Sequence, residues 1–249
     1  MKLAAPSLVL PGTVAENARF LAGRVEEAGL CCFETAGCLA YTEADLPRDL
    51  AALPLRWHVH LPVDLPWGEG GEAAAAAALA VFGRVAYLSP RLAVLHPPTD
   101  CPADAAREAL AAFGRRWRRE AAPPLLLENI PGCQLTELGA AFLEGEGLGV
   151  CLDVGHLLGY AQAELLASGL PERARLVHWS APGPHPGKDR HLPLPALTGG
   201  QGAVARALLR RISPGAAHLV EVFDWPGVEA SRRWLVAARA QAHPAARPA

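Results

Sequence analysis

The segment from Leu125 to His156 reads LLLENIPGCQLTELGAAFLEGEGLGVCLDVGH, and its pattern decides the fold. A short apolar run, Leu125 to Glu128, is followed by a segment of helical period, Leu135 to Leu143, and then by a second short run, Gly149 to Asp153. Short apolar runs bounded by Pro, Gly and Asp are typical of buried strands, and the longer periodic segment predicts a helix. The segment is therefore predicted to form a βαβ unit, which belongs to a parallel sheet.

The same unit recurs along the whole chain. Apolar, β-branched or aromatic runs predict eight strands, at Leu3 to Leu10, Leu30 to Glu34, Leu55 to His60, Leu92 to His96, Leu125 to Glu128, Gly149 to Asp153, Arg175 to His178 and His218 to Phe223. Amphipathic segments predict helices at Val14 to Leu21, Ala44 to Leu50, Ala73 to Tyr87, Ala103 to Arg119, Leu135 to Leu143, Ala161 to Ala167, Ala203 to Arg211 and Val228 to Ala240. Eight parallel strands close into a barrel, so the predicted fold is α/β, a (β/α)8 TIM barrel.

A doubly wound open sheet is the main alternative for alternating strands and helices. Such sheets carry a glycine-rich phosphate turn after the first strand, whereas this chain has Pro11-Gly12-Thr13 there. A length of 249 residues, 51% hydrophobic and 19% charged, suits one barrel domain that spans residues 1–249. We expect only the tail from 240 to 249 to fray.

Charge and cysteine usage argue against several functional classes. The formal net charge is -2 and no basic stripe is present, so no nucleic-acid partner is expected. The sequence begins without a signal-peptide pattern and contains no window that approaches a membrane span, which predicts a cytoplasmic protein with no membrane partner. The six cysteines lack C-x-x-C spacing, which favours reduced core thiols over a disulfide framework.

Polar residues fall at the ends of the predicted strands. The carboxyl ends of six strands carry ligand-type side chains, namely His60, His96, Glu128, Asp153, His178 and Glu221. In a closed barrel these ends meet at one mouth, where the catalytic residues of such barrels lie. Several buried carboxylates in one place are costly unless a cation neutralises them. The pattern therefore predicts a metal site at the mouth.

Two local motifs add ligands to this set. Asp153-Val154-Gly155-His156 places a histidine three residues beyond a strand-end aspartate, and Asp189-Arg190-His191 lies in the loop after the seventh strand. Glu128, Asp153, Asp189 and Glu221 contribute four negative charges, so three divalent ions would leave a positive site that suits an anionic phosphate ester. Zinc is the first expectation for a histidine-rich set, and manganese or iron also fit mixed nitrogen and oxygen ligands.

The order of these ligands resembles that of endonuclease IV-type enzymes, which belong to the xylose isomerase-like TIM-barrel superfamily. The resemblance runs through nearly the whole chain and extends to Gly199-Gly200-Gln201-Gly202, although extra residues separate that stretch from Asp189-Arg190-His191. It implies three metal positions: one held by His60, His96 and Glu128, a second that Glu128 shares with Asp153, His178 and Glu221, and a third held by His156, Asp189 and His191. It also implies that Glu128, His156 and Asp189 are catalytic. His58 shares the strand face of His60 and is a rival for its role.

Other members of that superfamily are sugar isomerases and epimerases that use one metal. Their Glu, Asp, His, Glu set would be Glu128, Asp153, His178 and Glu221 here, so those four residues do not separate the two classes. His60, His96 and the Asp189-x-His191 pair do, because a single-metal epimerase does not need them together. The residues therefore favour a metal-dependent hydrolase. An apurinic endonuclease and a non-enzymatic corrinoid-binding protein are further alternatives.

Shorter stretches are similar to the cobamide-remodelling phosphodiesterases. They are Ala4-Ala5-Pro6-Ser7, Pro11-Gly12-Thr13-Val14-Ala15-Glu16-Asn17, Cys32-Phe33-Glu34 and His58-Val59-His60-Leu61-Pro62. This resemblance implies a corrinoid substrate whose nucleotide-loop phosphodiester is hydrolysed to cobinamide phosphate and an α-riboside. The candidate substrate-binding residues are Glu34, Lys188, Arg190 and Trp67. Glu34 ends the second predicted strand, Trp67 follows the third, and Lys188 and Arg190 flank Asp189. The sequence leaves the oligomeric state open.

Overall fold

The computed structural model describes residues 3–99, 101–120, 122–183, 185, 187 and 190–242, which form a closed barrel of eight parallel strands in sequential order. The strands are β1 (Leu3–Pro6), β2 (Glu27–Cys31), β3 (Arg56–His60), β4 (Ala93–Leu95), β5 (Leu125–Glu128), β6 (Gly149–Asp153), β7 (Ala174–Trp179) and β8 (Ala217–Val220). Strand β1 pairs with both β2 and β8, which closes the sheet. The predicted (β/α)8 TIM barrel is confirmed.

Ten α-helices follow or connect the described strands. They are α1 (Val14–Leu21), α2 (Thr35–Leu39), α3 (Gly71–Val85), α4 (Ala103–Arg119), α5 (Leu135–Leu138), α6 (Ala140–Gly145), α7 (Val154–Gly159), α8 (Ala163–Ala167), α9 (Gly199–Arg211) and α10 (Trp225–Ala242). Helix α1 begins at a capping box in which Thr13 and Glu16 bond each other's backbone amides. Helix α10 ends at Ala242, and residues 243–249, most of the tail expected to fray, lie outside the described residues.

Two predicted elements are displaced in the structure. Strand β2 covers Glu27–Cys31 rather than Leu30 to Glu34, and no helix covers Ala44 to Leu50, where a 3₁₀ turn, Arg48–Ala52, follows Pro47 instead. Proline disfavours helical backbone in the residue before it, which explains the missing helix. As a consequence Glu34 is not a strand residue but the residue that precedes α2.

Side chains alternate between two cores. Inward-facing residues form a small cluster inside the barrel, namely Ala4, Leu92, Val94, Leu126, Cys151, Leu176, Ala217 and Leu219. A larger cluster of outward-facing strand residues and helix residues forms the layer between sheet and helices. The inward side chains at the carboxyl ends of the strands are polar, which places the candidate site directly above the inner core.

The alanine-rich helix α3 packs closely against α4, which requires small residues. A Cβ atom at Gly71 would lie 1.9 Å from the carbonyl oxygen of Ala109 on α4, so only small residues let the two helices approach. Ala74, Ala75 and Ala78 are buried on the same helix. The prediction that no window approaches a membrane span is wrong, because within the described residues Gly71–Leu88 has the length and composition of one. The core helix of a barrel meets the same criterion.

Candidate metal centre

The strand ends bring the predicted ligands to one mouth of the barrel. His60, Glu128 and Asp153 are the last residues of β3, β5 and β6, and Glu221 directly follows β8. Asp153 is paired in register with His178 on β7, so both lie at the same level of the barrel. These residues are buried, and they face inward because side chains alternate along a strand.

Glu128 is the hub of the site. Its Oε2 atom lies 3.1 Å from His60 Nε2, 3.5 Å from His96 Nε2 and 3.6 Å from His178 Nδ1, and its Oε1 atom lies 3.3 Å from His156 Nδ1. One carboxylate therefore contacts histidines from four different strand ends or loops. A bridging ligand between cations has this arrangement.

Two groups of donors around Glu128 have the spacing that a metal ion requires. His60, His96 and Glu128 offer donor atoms that all lie within 4.8 Å of one another, and so do Glu128, Asp153, His178 and Glu221. A third group, Glu128, Cys151 and His178, meets the same criterion. Burial raises the pKa of Cys151 to about 12, which keeps it a thiol and makes it a poor ligand.

His156 and His191 extend the cluster on the side of the loop after β7. His156 lies in the first turn of α7, where its backbone amide donates to Asp153 Oδ1 at 2.5 Å. His191 Nδ1 lies 3.8 Å from Glu221 Oε2, and the rings of His156 and His191 are 6.0 Å apart. An antiparallel bridge between Ala181 and Leu192 fixes the end of this loop. Asp189 and Lys188, which the sequence also singles out, lie outside the described residues.

Backbone carbonyls fix the tautomers of two of these histidines. His60 Nδ1 lies 2.8 Å from the carbonyl oxygen of Leu61, and His156 Nδ1 lies 2.9 Å from that of Asn129. A carbonyl oxygen only accepts, so Nδ1 carries the proton in both rings. The Nε2 lone pair of neutral His60 then points toward the Glu128 carboxylate, which is repulsive unless a proton or a cation lies between them.

Asn129 was not identified from the sequence, although it directly follows the strand-end Glu128. Its amide donates to the carbonyl oxygen of Asp153 at 2.9 Å and to Gln162 Oε1 at 2.8 Å, and it accepts from the backbone amide of Asp153 at 2.7 Å. Asn129 thereby ties the end of β5 to the end of β6. Its position fixes the relative placement of Glu128, Asp153 and His156, as outer-sphere residues do in metal sites.

The buried charged groups strongly shift each other's pKa values. Burial alone would raise the pKa of Glu128, but the nearby His178 and His96 outweigh it and hold this pKa well below its usual value. Burial would lower the pKa of His178, but the carboxylates of Glu221 and Glu128 raise it well above its usual value. The cluster therefore stabilises positive charge at its centre.

A divalent cation fits this donor set. Neither ring nitrogen of His178 makes a hydrogen bond with any described residue, and neither does Glu221 Oε2, although all these atoms are buried. His178 Nδ1 and Glu221 Oε2 lie 3.0 Å apart without the direction of a hydrogen bond. Buried polar atoms normally make hydrogen bonds. Buried atoms that lack one and lie close together therefore indicate a bound ligand.

His58 occupies a different level of the barrel from His60. Its Nδ1 atom lies 2.8 Å from Glu27 Oε1, and Glu27 also contacts Arg91 near the opposite end of the barrel. Gly29 leaves the space for this ring, since a Cβ atom there would lie 2.6 Å from His58 Nε2. His58 is held by a carboxylate partner of its own, whereas His60 lies in the donor group of Glu128.

A cavity of about 270 Å³ opens above the cluster. It is lined by His60, His96, Glu128, His156, His191, Glu221, Phe33, Val63 and Phe223. Of the candidate substrate-binding residues, Glu34 and Arg190 are exposed and lie outside this lining, while the ring of Trp67 packs against Phe113 of α4 at 5.4 Å. Phe33, Val63 and Phe223 are the lining residues that the sequence analysis did not assign to the site.

Fold and site define a (β/α)8 TIM barrel with candidate metal-binding groups at its carboxyl-terminal mouth. Comparison with protein-family models gives no match, and neither does comparison with curated proteins. Among solved structures the chain is similar to a D-tagatose 3-epimerase-like protein, with 16% identity, a TM-score of 0.71 and 98% of each chain covered.

Two further structures are from Thermus thermophilus. One is endonuclease IV, with 20% identity and a TM-score of 0.69 over 95% of this chain and 100% of that one. The other is the TTHB071 protein soaked with ZnCl2, with 23% identity and a TM-score of 0.63 over 96% and 98% of the two chains. At these identities the likeness establishes the fold.

Proposed function

We propose that this protein is a metal-dependent phosphodiesterase that hydrolyses the nucleotide-loop phosphodiester of cobamides to cobinamide phosphate and an α-riboside. The observation that carries the proposal is the convergence of eight predicted ligands in one cluster, six of which line the cavity above it: His60, His96, Glu128, Asp153, His156, His178, His191 and Glu221. A single-metal epimerase would need only the group formed by Glu128, Asp153, His178 and Glu221. The additional histidines favour a site of two or three ions.

The lining of the cavity supports a small-molecule substrate over a DNA duplex. No lysine or arginine occurs among the described residues that line it, and the lining includes Phe33, Val63 and Phe223. Proteins that bind duplexes surround the reactive site with cationic side chains that contact phosphates. The amide-rich corrinoid implied by the sequence resemblance does not require such a surface.

The residues of the chain have defined tasks in this reaction. Divalent cations held by the cluster would polarise the phosphodiester and supply a nucleophilic water at neutral pH. Glu128 holds two donor groups together, and Asn129 fixes the position of Asp153 relative to it. Water adds to phosphorus, the bond from phosphorus to the ribose oxygen breaks, and that oxygen leaves with a proton. The phosphate stays on the corrinoid.

The metal content of the purified protein tests the site. We expect two to three divalent ions per chain, zinc first and manganese or iron as alternatives, because the donors around Glu128 fall into more than one group. Elemental mass spectrometry against protein concentration gives the ratio. An upper limit of one ion per chain would favour the epimerase alternative.

The products of a cobamide incubation test the reaction. The metal-loaded protein is expected to release cobinamide phosphate and the α-riboside, identified by mass. In water labelled with heavy oxygen, the label should enter cobinamide phosphate and not the riboside, because phosphorus is attacked. Cleavage at the amide or aminopropanol side would contradict the proposal, as would an intact cobamide combined with cleavage of an abasic duplex or epimerisation of a ketose. Tight binding of the cobamide without turnover would indicate a corrinoid-binding protein instead.

A further inference from the structure

An apolar wall adjoins the metal-ligand cluster. Phe33 lies edge-to-face against His60, with ring centroids 5.0 Å apart, and Phe223 lies edge-to-face against His191 at 5.1 Å. The two phenylalanine rings are perpendicular to each other with centroids 6.0 Å apart. Val63 completes the wall of the same cavity. The rings of Phe33 and Phe223 therefore form an aromatic corner directly beside the predicted ligands His60 and His191.

The side chains of this wall are partly exposed, although hydrogen bonds hold its backbone in place. Phe223 is 37% exposed and Val63 is 48% exposed, whereas the neighbouring Val222 is buried. The amide of Val63 donates to the carbonyl oxygen of Phe33 at 2.9 Å, which joins the loops after β2 and β3. On the other side of the corner, the amide of Trp225 donates to the carbonyl oxygen of Val9 at 3.1 Å. Apolar side chains held in place at a concave surface are typical of a ligand site.

We propose that Phe33, Val63 and Phe223, named here the aromatic subsite, bind a planar aromatic substituent of the phosphodiester whose phosphate reaches the cluster. The inference rests on the proposed function, and in a cobamide the substituent is the base of the leaving α-riboside. It assigns these three residues as the wall that discriminates between lower-ligand bases.

The size and charge of the cavity favour this occupant. A volume of about 270 Å³ lies just below the roughly 300–1,000 Å³ of sites that enclose drug-sized ligands. It accommodates a phosphate and one ring system, and the corrin macrocycle must remain outside. The absence of lysine and arginine among the described lining residues favours an uncharged ring over an anionic substituent.

Matched phosphate esters test the aromatic subsite without requiring turnover. Naphthyl phosphate and ethyl phosphate present the same phosphate to the cluster and differ only in the attached group. Calorimetric titration of the zinc-loaded protein is expected to give about tenfold tighter binding of the naphthyl ester, since one aromatic contact contributes about that factor. Phe33→Leu and Phe223→Leu should each lower the ratio of the two affinities at least about threefold.

The chain also offers a matched valine pair. Val63→Ser should lower the naphthyl to ethyl ratio, whereas Val236→Ser, at a 59% exposed valine on α10, should leave it unchanged. Unchanged ethyl phosphate affinity shows that a variant is folded with its cluster intact.

Several results would overturn the aromatic subsite: equal wild-type affinities, no binding of either ester, or variants that change both affinities alike. A cobamide that is not hydrolysed, together with a ratio that depends on Phe33 and Phe223, would reject the proposed substrate and retain the subsite.

Discussion

Replacement of Glu128 by glutamine is expected to remove most of the bound zinc and to lower cobamide hydrolysis by about 10³-fold. Glutamine preserves the shape of the side chain, but it loses the negative charge that His60, His96 and His178 surround at 3.1 to 3.6 Å. Because Glu128 belongs to every donor group found among the described residues, its loss should release the ions that those groups hold. Elemental analysis and initial rates on a cobamide measure the two effects.

Glu27→Gln is the matched control. Glu27 and Glu128 are both 1% exposed inside the same barrel, but Glu27 contacts His58 and Arg91 rather than the cluster. The control variant should unfold at a lower temperature, because a buried charge pair is broken, and should keep wild-type zinc content. A Glu128→Gln protein with full zinc occupancy would contradict the assignment of Glu128 as the hub.

The barrel could be predicted because most of its strands are encoded locally. Strands β5 and β6 have the predicted bounds, since leucine and valine runs with a terminal carboxylate are sufficient to define them. Strand β2 is different, because it includes Glu27 and Gly29, which are unfavourable strand residues. These residues occur in the strand because of contacts with residues distant in sequence. Gly29 makes room for His58 on β3, and Glu27 contacts Arg91. A single sequence does not contain that pairing.

The metal ligands could be predicted from the sequence, whereas the aromatic subsite could not. Ligands at strand ends follow from the geometry of parallel barrels, so His60, Glu128 and Asp153 could be placed at one mouth before any coordinates. Phe33, Val63 and Phe223 lie in loops, where side-chain direction depends on backbone bonds between segments distant in sequence. Trp67 illustrates the converse, since it also follows a strand but packs against Phe113 in the helix layer.

The loop after β7 should decide between the two enzyme classes. In an Asp189→Ala, His191→Gly double variant, phosphodiester hydrolysis is expected to fall by about 10³-fold and the metal content to fall by one ion per chain. The group of Glu128, Asp153, His178 and Glu221 does not include either residue, so the remaining ions should stay bound. Rates on a cobamide and elemental analysis of the same preparation provide the comparison.

Glycine is chosen at position 191 because His191 has a φ of 46°. Alanine is strained at such a backbone angle, whereas glycine adopts it freely, so the loss of activity reports the missing imidazole rather than a distorted loop. His185→Ala, at an exposed histidine of the same loop, removes an imidazole outside the ligand motif and should leave rate and metal content unchanged. If the double variant hydrolysed the cobamide at nearly the wild-type rate, Asp189 and His191 would have no part in the reaction. The donor groups that share Glu128 would then be the whole catalytic site.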